Sequence, residues 1–401
     1  MTIHKPLERA HVADIISQAV ATSTALAIVG SGSKLRLGRH APCADHLDMS
    51  GFADGLDYQP SELVLTAGAG TLLSEIEALL AKNRQMLAFE PPDWSALLGA
   101  RGTGTLGGLI ATNIAGPRRV KSGAPRDHFL GFHGVNGRGE MFKAGGRVVK
   151  NVTGYDLAKI QAGAFGTLAV LTDITLKVVP APETSVTLVL RGQDAAQAVA
   201  SMAQALNSPH EVSAAAYLPP DAAARAAGSG GEGLTLLRLE GHGPSVTFRA
   251  GALREMLAAG DLLPEVASVA LWRDVAAVQP LLQRADSLLW KLNPVPATAP
   301  SVLAALQSSL PVIGSFMDWG GGLLWIELDP AVPQAGANVI RKAVAAGGGH
   351  AMLLRAPVDL RVQVDVFEPP AAGLAALTAR IKAAYDPADV LNRGRMYQPQ
   401  A

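Results

Sequence analysis

The chain has 401 residues, with 34 Lys and Arg against 34 Asp and Glu, so it carries no formal net charge. That balance argues against electrostatic capture of nucleic acid or of an anionic membrane surface, and a hydrophobic share of 49% is too apolar for a disordered chain. A single cysteine, Cys43, rules out an internal disulfide, a Cys-based zinc site and an iron–sulfur cluster held by this chain alone.

In chain order, residues 7–22 predict an amphipathic helix. Residues 25–34 predict a strand running into the loop Gly30-Ser-Gly-Ser-Lys34. A second strand, 63–70, closes on Thr66-Ala-Gly-Ala-Gly70, and Thr71 is placed to N-cap a helix reaching about residue 82. Residues 101–113 are almost all small or aliphatic and contain Gly102-Thr-Gly-Thr-Leu-Gly-Gly108. Residues 130–143 predict a hairpin turning at Asn136-Gly-Arg-Gly139. The run 148–155 leads into a short helix to 159, and 167–179 alternates as a strand. Pro180-Ala-Pro182 then punctuates the chain. Beyond it, strands at 185–191, 212–218 and 234–240 alternate with helices at 195–206, 246–259 and 275–290. Residues 293–300 read as a linker. Strands at 311–317 and 323–328, a helix at 334–346, a strand at 350–354 and a helix at 371–385 complete the chain. No signal peptide and no membrane span are expected. The class is α+β, with boundaries predicted at 1–182, 183–358 and 359–401.

Glycine is the compositional outlier: 42 residues, about a tenth of the chain against a usual share of about 7%. Much of it falls in four short loops before residue 182, the three above and Gly163-Ala-Phe-Gly-Thr167. Glycine lets backbone N–H groups come close to a diphosphate and adopt positive φ, and neighbouring Ser and Thr hydroxyls add donors. A literal G-x-G-x-x-G is present at Gly102, Gly104 and Gly107 with Asp127 further on. Its context is wrong for a nicotinamide fold, because Glu90-Pro-Pro-Asp-Trp94 and the residues after it are not a buried strand.

A linked series of motifs carries a resemblance: Glu90-Pro-Pro-Asp-Trp94, Thr105-Leu-Gly-Gly108, Ala111-Thr-Asn113, Gly116-Pro-Arg-Arg119, Asn136-Gly-Arg-Gly-Glu140, Val149-Lys-Asn-Val-Thr-Gly-Tyr-Asp156, Gly166-Thr-Leu168 and Leu176-Lys-Val-Val-Pro180. Together they resemble the FAD-binding domain of the vanillyl-alcohol-oxidase / p-cresol-methylhydroxylase superfamily, and within it the FAD-binding subunits of bacterial glycolate oxidases. The resemblance implies a PCMH-type FAD-binding domain of two α/β subdomains (1–182), a cap with an antiparallel sheet and helices (183–358), and a C-terminal segment (359–401) returning to the FAD domain. It implies that Gly30, Ser31, Gly32, Ser33 and Lys34 form the first pyrophosphate loop, and that Thr66, Gly68 and Gly70 line the adenine side. Thr103, Gly104, Thr105, Gly107, Gly108, Ala111 and Thr112 would run beneath the diphosphate and ribityl chain. Gly154, Tyr155 and Asp156 would sit near the flavin ring, with Gly166, Leu168 and Val170 closing over the cofactor. Relatives that bind flavin covalently use His or Cys, whereas the first loop here has Ser31 and Ser33, so FAD is expected to be non-covalent.

Hydride transfer from a 2-hydroxy acid needs a base for the hydroxyl proton and a cation for the carboxylate. The paired histidines of the family's catalytic members have no counterpart here. His350 and Arg355 are the candidate catalytic residues, with Arg393 and Arg395 as further carboxylate-binding candidates. The resemblance implies a subunit of a multi-subunit glycolate oxidase that binds FAD. Its partners would be a paralogous FAD-containing catalytic subunit, oxidising glycolate or a similar 2-hydroxy acid, and an iron–sulfur subunit passing electrons to quinone. The expected location is cytoplasmic, at the inner face of the membrane only through those partners. A self-sufficient FAD-dependent 2-hydroxy-acid dehydrogenase and a non-catalytic assembly subunit are the alternatives.

Overall fold

A computed structural model describes residues 2–43, 45–100, 102–147, 154–227 and 231–398. The chain divides into two compact units: residues 1–115, 123–180 and 369–401 form the first, and 116–122 with 181–368 form the second.

The first unit opens with β1 (Thr2–His4), β2 (Leu26–Val29) and β3 (Asp45–Asp48), a parallel sheet in the order β1-β3-β2. The helix Arg9–Ala21 carries the chain from β1 to β2, on opposite sides of β3. Its Val12, Ile16 and Ala19 recur at helical spacing, are buried, and pack against Leu26, Leu47 and Met49. The C-terminal tail joins the free edge of β2: the Leu26 N–H donates to Val390 O at 2.8 Å, and the Asn392 N–H to Leu26 O at 2.9 Å.

The other main sheet of this unit is antiparallel. It contains β4 (Asp57–Gln59), β5 (Val64–Gly68), β7 (Phe129–Asn136), β8 (Met141–Gly145) and β9 (Ala169–Lys177) in the order β4-β5-β9-β7-β8, while β6 (Gln85–Met86) and β10 (Val179–Pro180) pair separately. The helices Leu73–Lys82 and Leu106–Thr112 contribute Leu73, Ile76, Leu80, Leu106, Leu109 and Ile110 to its core. The β7–β8 hairpin turns where the sequence predicts, because the Asn136 carboxamide oxygen accepts the N–H groups of Arg138 and Glu140. Thr71 does not cap its helix. Its hydroxyl donates to Ala53 O at 3.2 Å, and the N-cap position falls on Leu72.

The second unit is built on one eight-stranded antiparallel sheet. Its strands are β11 (Thr184–Arg191), β12 (Ala214–Leu218), β13 (Leu234–Gly241), β14 (Asp261–Leu263), β15 (Leu288–Asn293), β16 (Val312–Asp318), β17 (Leu323–Leu328) and β18 (His350–Arg355), in the order β14-β11-β13-β12-β16-β17-β15-β18. Four helices, Ala195–Leu206, Gly243–Met256, Ala299–Ser309 and Ala337–Ala346, cover one face through a continuous apolar core. The helix Glu265–Ala276 packs elsewhere: its Ser268 hydroxyl lies 2.7 Å from the Thr187 hydroxyl, and the Trp272 indole N–H donates to that Thr187 hydroxyl at 2.8 Å.

The α+β class is the one the sequence predicts, but two spans differ. Residues 275–290 are not one helix. Pro280 sits in a short 3-10 turn after Val278, whose φ of 59° ends the α-helix, and 288–293 is a buried strand. Residues 293–300 are not a linker. They turn through Pro296–Thr298 directly into the helix Ala299–Ser309, with Pro300 in its first turn where the missing N–H costs nothing. Among the described residues no helix is long and apolar enough to cross a membrane.

Candidate functional site

The edge of β2 opens into a cleft within the first unit. Its lining includes Gly30, Ser31, Gly32, Ser33 and Lys34 from the loop after β2, and Thr105, Gly107, Gly108, Ala111 and Thr112 from the helix Leu106–Thr112 and its N-cap. Gly166, Ala169 and Leu171 from the start of β9 complete one wall. Three separated stretches of sequence thus meet, each at one of the glycine loops.

The first loop is a set of unused donors. Gly32 has φ of 78°, which turns successive N–H groups toward one side. Among the described residues, the N–H groups of Ser31, Gly32, Ser33 and Lys34 donate to no group of the chain. Half-buried polar N–H groups left in this way fit an anionic ligand. The loop approaches Thr105 so closely that a Cβ on Gly30 would lie 3.0 Å from Thr105 Cγ2 and nearer still to its hydroxyl. The helix side offers size rather than donors. The N–H groups of Leu106, Gly107 and Gly108 are taken by Thr71 O, Ala69 O and the Thr105 hydroxyl.

Two cations face this cleft. Lys34 Nζ lies 3.5 Å from Ser33 Oγ, and burial pulls its ammonium below the usual lysine range, with Asp93 opposing. Arg395 donates from Nη2 to Lys34 O at 2.7 Å, so the C-terminal tail holds the loop in place. Asn392 supports both: its carboxamide oxygen accepts the Ile28 N–H at 2.8 Å, and its Nδ2 donates to Phe165 O at 2.7 Å. Gln161 also lines the cleft, and its buried Nε2 has no hydrogen-bond partner. Cys43 is the one thiol of the lining, and burial pushes it above its usual range against the pull of Arg395 and Arg393. Among the described residues, no carboxylate and no histidine lines this cleft.

A second, adjoining cleft shares Ser33 and Lys34 and is lined by Thr103, Gly104, Ser74, Pro91, Pro92 and Trp94. The Glu90-Pro-Pro-Asp-Trp94 motif therefore lies beside the same lysine. Paired donors, two cations, hydroxyls and a close glycine floor suit an extended dinucleotide bound by its diphosphate. Lys34→Met is expected to weaken FAD binding ten- to hundredfold, about 1.5–3 kcal/mol for a charge-assisted hydrogen bond, read by titrating flavin fluorescence.

Other predicted residues lie elsewhere. Thr66 sits within β5, its hydroxyl bonded to Thr175 across the strand pair at 2.9 Å. Gly68 and Gly70 are small because the turn after β3 presses on them: a Cβ would strike Phe52 O and Met49 O respectively. Leu168 faces a different cavity beside the helix Ala372–Tyr385, and Val170 is fully buried among Val12, Ile16 and Leu391. Alternation along β9 turns Ala169 and Leu171 toward the cleft instead. Gly154, Tyr155 and Asp156 are exposed, Tyr155 at 91%, and line neither cleft. The preceding motif residues 149–153 lie outside the described residues. Gln161, Asn392, Arg395 and Ala69 are cleft residues that the motifs did not single out as cofactor ligands.

The candidate catalytic residues belong to the second unit. Arg355 is tied into the sheet: it donates to Ser287 O at 3.1 Å and to Ser287 Oγ at 2.5 Å, and lies 3.5 Å from Glu327. Burial pushes the Glu327 carboxyl up and the Arg355 guanidinium down. That is a structural network within the sheet. His350 is exposed at the start of β18, its pKa lowered by crowding, then by the charges of Lys291 and Arg119. Arg393 donates to Asp389 O and Ala388 O and secures the tail.

The sequence profile of the FAD binding domain matches residues 3–145. Glycolate oxidase subunit GlcE of Escherichia coli (strain K12) is 33% identical over 382 residues, covering 95% of both chains. The chain belongs to the glycolate oxidase subunit GlcE family. FAD is its cofactor. Glycolate oxidase subunit GlcD of Bacillus subtilis (strain 168) is 36% identical over 134 residues, 33% of this chain and 27% of that one. D-lactate dehydrogenase of Anaerostipes hadrus is 34% identical over 149 residues, 37% of this chain and 30% of that one. The fold is also that of alkyldihydroxyacetonephosphate synthase, with a TM-score of 0.71 at 17% identity, covering 97% of this chain and 76% of that one. The PCMH-type FAD-binding architecture follows.

Proposed function

We propose that the chain is the FAD-binding subunit of a multi-subunit glycolate oxidase. In that assembly a paralogous flavin subunit oxidises glycolate to glyoxylate, and an iron–sulfur subunit carries the electrons to quinone. FAD, when bound, supplies a two-electron acceptor that can also release electrons one at a time. The loop 30–34 and Lys34 would hold its diphosphate, and Arg395 and Asn392 would fix that loop. The hydroxyls of Ser31, Ser33, Thr105 and Thr112 would meet its polar chain. Binding would be non-covalent, since among the described residues no histidine lines the cleft, and burial favours the protonated thiol of Cys43.

The observation that carries the subunit reading is the chemistry of this lining: donors and cations with no carboxylate or imidazole. It can bind and orient a flavin but holds no side chain suited to take a hydroxyl proton at neutral pH. The match to GlcE along 95% of both chains supports the same reading. Any membrane attachment would pass through the partners.

The purified chain is expected to be yellow, to give up free FAD on acid precipitation, and to show no glycolate-dependent dye reduction alone. Activity is expected to appear when it is co-expressed with the GlcD-type and iron–sulfur subunits. A colourless chain that takes up no FAD overturns the reading. Steady turnover of glycolate by the isolated chain would replace it with a self-sufficient dehydrogenase.

A further inference from the structure

The cleft beside β2 holds a buried side-chain donor that the chain itself does not use. Gln161 ends the short helix Ala158–Gln161, is 3% exposed and lines the cleft. Two backbone bonds fix the turn that follows it: the Gly163 N–H donates to Ile110 O at 3.0 Å, and the Phe165 N–H to Ala111 O at 2.8 Å. Residues 161–165 therefore meet the end of the helix Leu106–Thr112. The loop 30–34 meets its start, where Gly30 presses on Thr105. Six residues of helix separate Thr105 from Ala111, a rise of about 9 Å.

A carboxamide carries two N–H donors, and a buried one left unpaired costs free energy. The Gln161 Nε2 is buried and has no hydrogen-bond partner. Burial raises the Tyr385 phenol and the neighbouring Gln161 opposes that, yet Nε2 finds no partner at hydrogen-bond distance. The other carboxamide of the lining is already engaged: Asn392 accepts the Ile28 N–H and donates to Phe165 O. So is the Thr112 hydroxyl, which donates to Gly108 O at 2.7 Å. A methionine of the same length would fill the Gln161 site without that cost. What the glutamine adds is a donor for a ligand that brings an acceptor.

We propose that Gln161 is a cofactor-binding residue whose Nε2–H donates to an uncharged acceptor of FAD, away from the diphosphate. The N–H groups of residues 31–34 and Lys34 already supply the anionic part of the ligand. A neutral carboxamide further along the helix meets the next part of an extended molecule, where ring nitrogens, carbonyls and hydroxyls are the acceptors. The inference rests on the proposed seating of the diphosphate at the loop 30–34.

The test uses the full-length protein, with FAD itself as the probe. Gln161→Met is expected to raise the Kd for FAD about tenfold in a flavin-fluorescence titration. The FAD-free variant is expected to melt at the wild-type temperature or above it, because no bond of the chain is lost. A merely structural residue would lower affinity and melting temperature together. An unchanged Kd, or a lower melting temperature without FAD, overturns the proposal. In the double variant with Lys34→Met the two losses are expected to multiply, as for separate contacts. A Gln161→Met loss that disappears in that background would place both side chains on the diphosphate and overturn the assignment. If Lys34→Met left the Kd unchanged while Gln161→Met raised it, the seating of the diphosphate would fall and Gln161 would stand as a cofactor residue.

Discussion

Gly30→Ala is expected to cut FAD affinity at least a hundredfold, about 2.7 kcal/mol, while the protein still folds. The added methyl would enter the space held by the Thr105 side chain, which is 4% exposed and has nowhere to retreat. Thr105 cannot simply turn away, because its hydroxyl accepts the Gly108 N–H at 3.3 Å and caps the helix Leu106–Thr112. The loop would move instead, carrying its free N–H groups out of register with the diphosphate. Fluorescence titration of the flavin-free protein reads the affinity, and thermal melting reads the fold. Thr105→Ala combined with Gly30→Ala is expected to recover part of the lost affinity, because it removes the atoms in the way; additive losses in the double mutant would refute the steric account. Gly373→Ala is the matched control. Nothing lies within 4 Å of its added Cβ, and in the helix Ala372–Tyr385 the change is expected to be neutral or stabilising by roughly 0.5–1 kcal/mol.

Asp386→Ala is expected to destabilise the first unit by about 3–5 kcal/mol, the usual consequence of removing one member of a buried ion pair. The Asp386 carboxylate is 0% exposed. It lies 2.6 Å from Lys382 Nζ and accepts the N–H groups of Val390 at 3.1 Å and Leu391 at 2.8 Å. Lys382 in turn donates to Thr167 O at 2.8 Å, tying the tail to the residues just before β9. Without the carboxylate, two buried N–H groups lose their partner, and the Lys382 ammonium keeps only Asp389, at 3.0 Å, as a counter-charge. Urea unfolding should show the loss as a lowered midpoint. Flavin retention should fall with it, since Asn392 and Arg395 follow directly on this turn. Lys382→Met alone should cost less, because Lys382 is the more exposed partner, and a shift below 1 kcal/mol in Asp386→Ala would refute the assignment.

A pH dependence distinguishes Lys291 from these sites. Burial and the nearby Arg119 bring its folded-state pKa to about 8, below the ordinary lysine value of 10.5, so the folded protein carries the penalty of a charged Lys291 fully below pH 8. As pH rises from 8 toward 10.5 the folded state releases its proton first, and stability is gained. Lys291→Met is expected to melt higher than the wild type below pH 8, with the difference shrinking across that window. A pH-independent difference would show that the ammonium is not held under strain.

The cleft beside β2 was legible where its lining is local. Gly30 to Lys34 combine a chain reversal, free N–H groups and a cation within five residues, and no distant contact is needed to recognise that combination. The same holds for the small residues from Thr105 to Thr112, which can lie close beneath a ligand only because they are small. Legibility failed where one residue type answers two demands. Gly68 and Gly70 look like ligand-binding glycines, yet they are small because the turn at 49–53 packs its backbone onto them. Leu168 and Val170 failed by parity, since a strand's alternation is readable but the face toward the cofactor is not. Arg355 looks available at the end of a strand, and only the buried Glu327 two strands away explains it.

The sequence by itself determined the α+β class, the runs of small residues and donors that line one cleft, and the absence of a cysteine set for an iron–sulfur relay. Those properties reside in short segments and in composition. Tertiary structure decided which glycines meet the cleft and which only accommodate neighbouring backbone. It also brought Asn392 and Arg395 back from the far end of the chain to hold the first loop, and set Lys291 and Arg119 on the Trp319 indole. Such pairings depend on strand register and on chain closure across hundreds of residues, and side chains separated so widely are brought together only by folding.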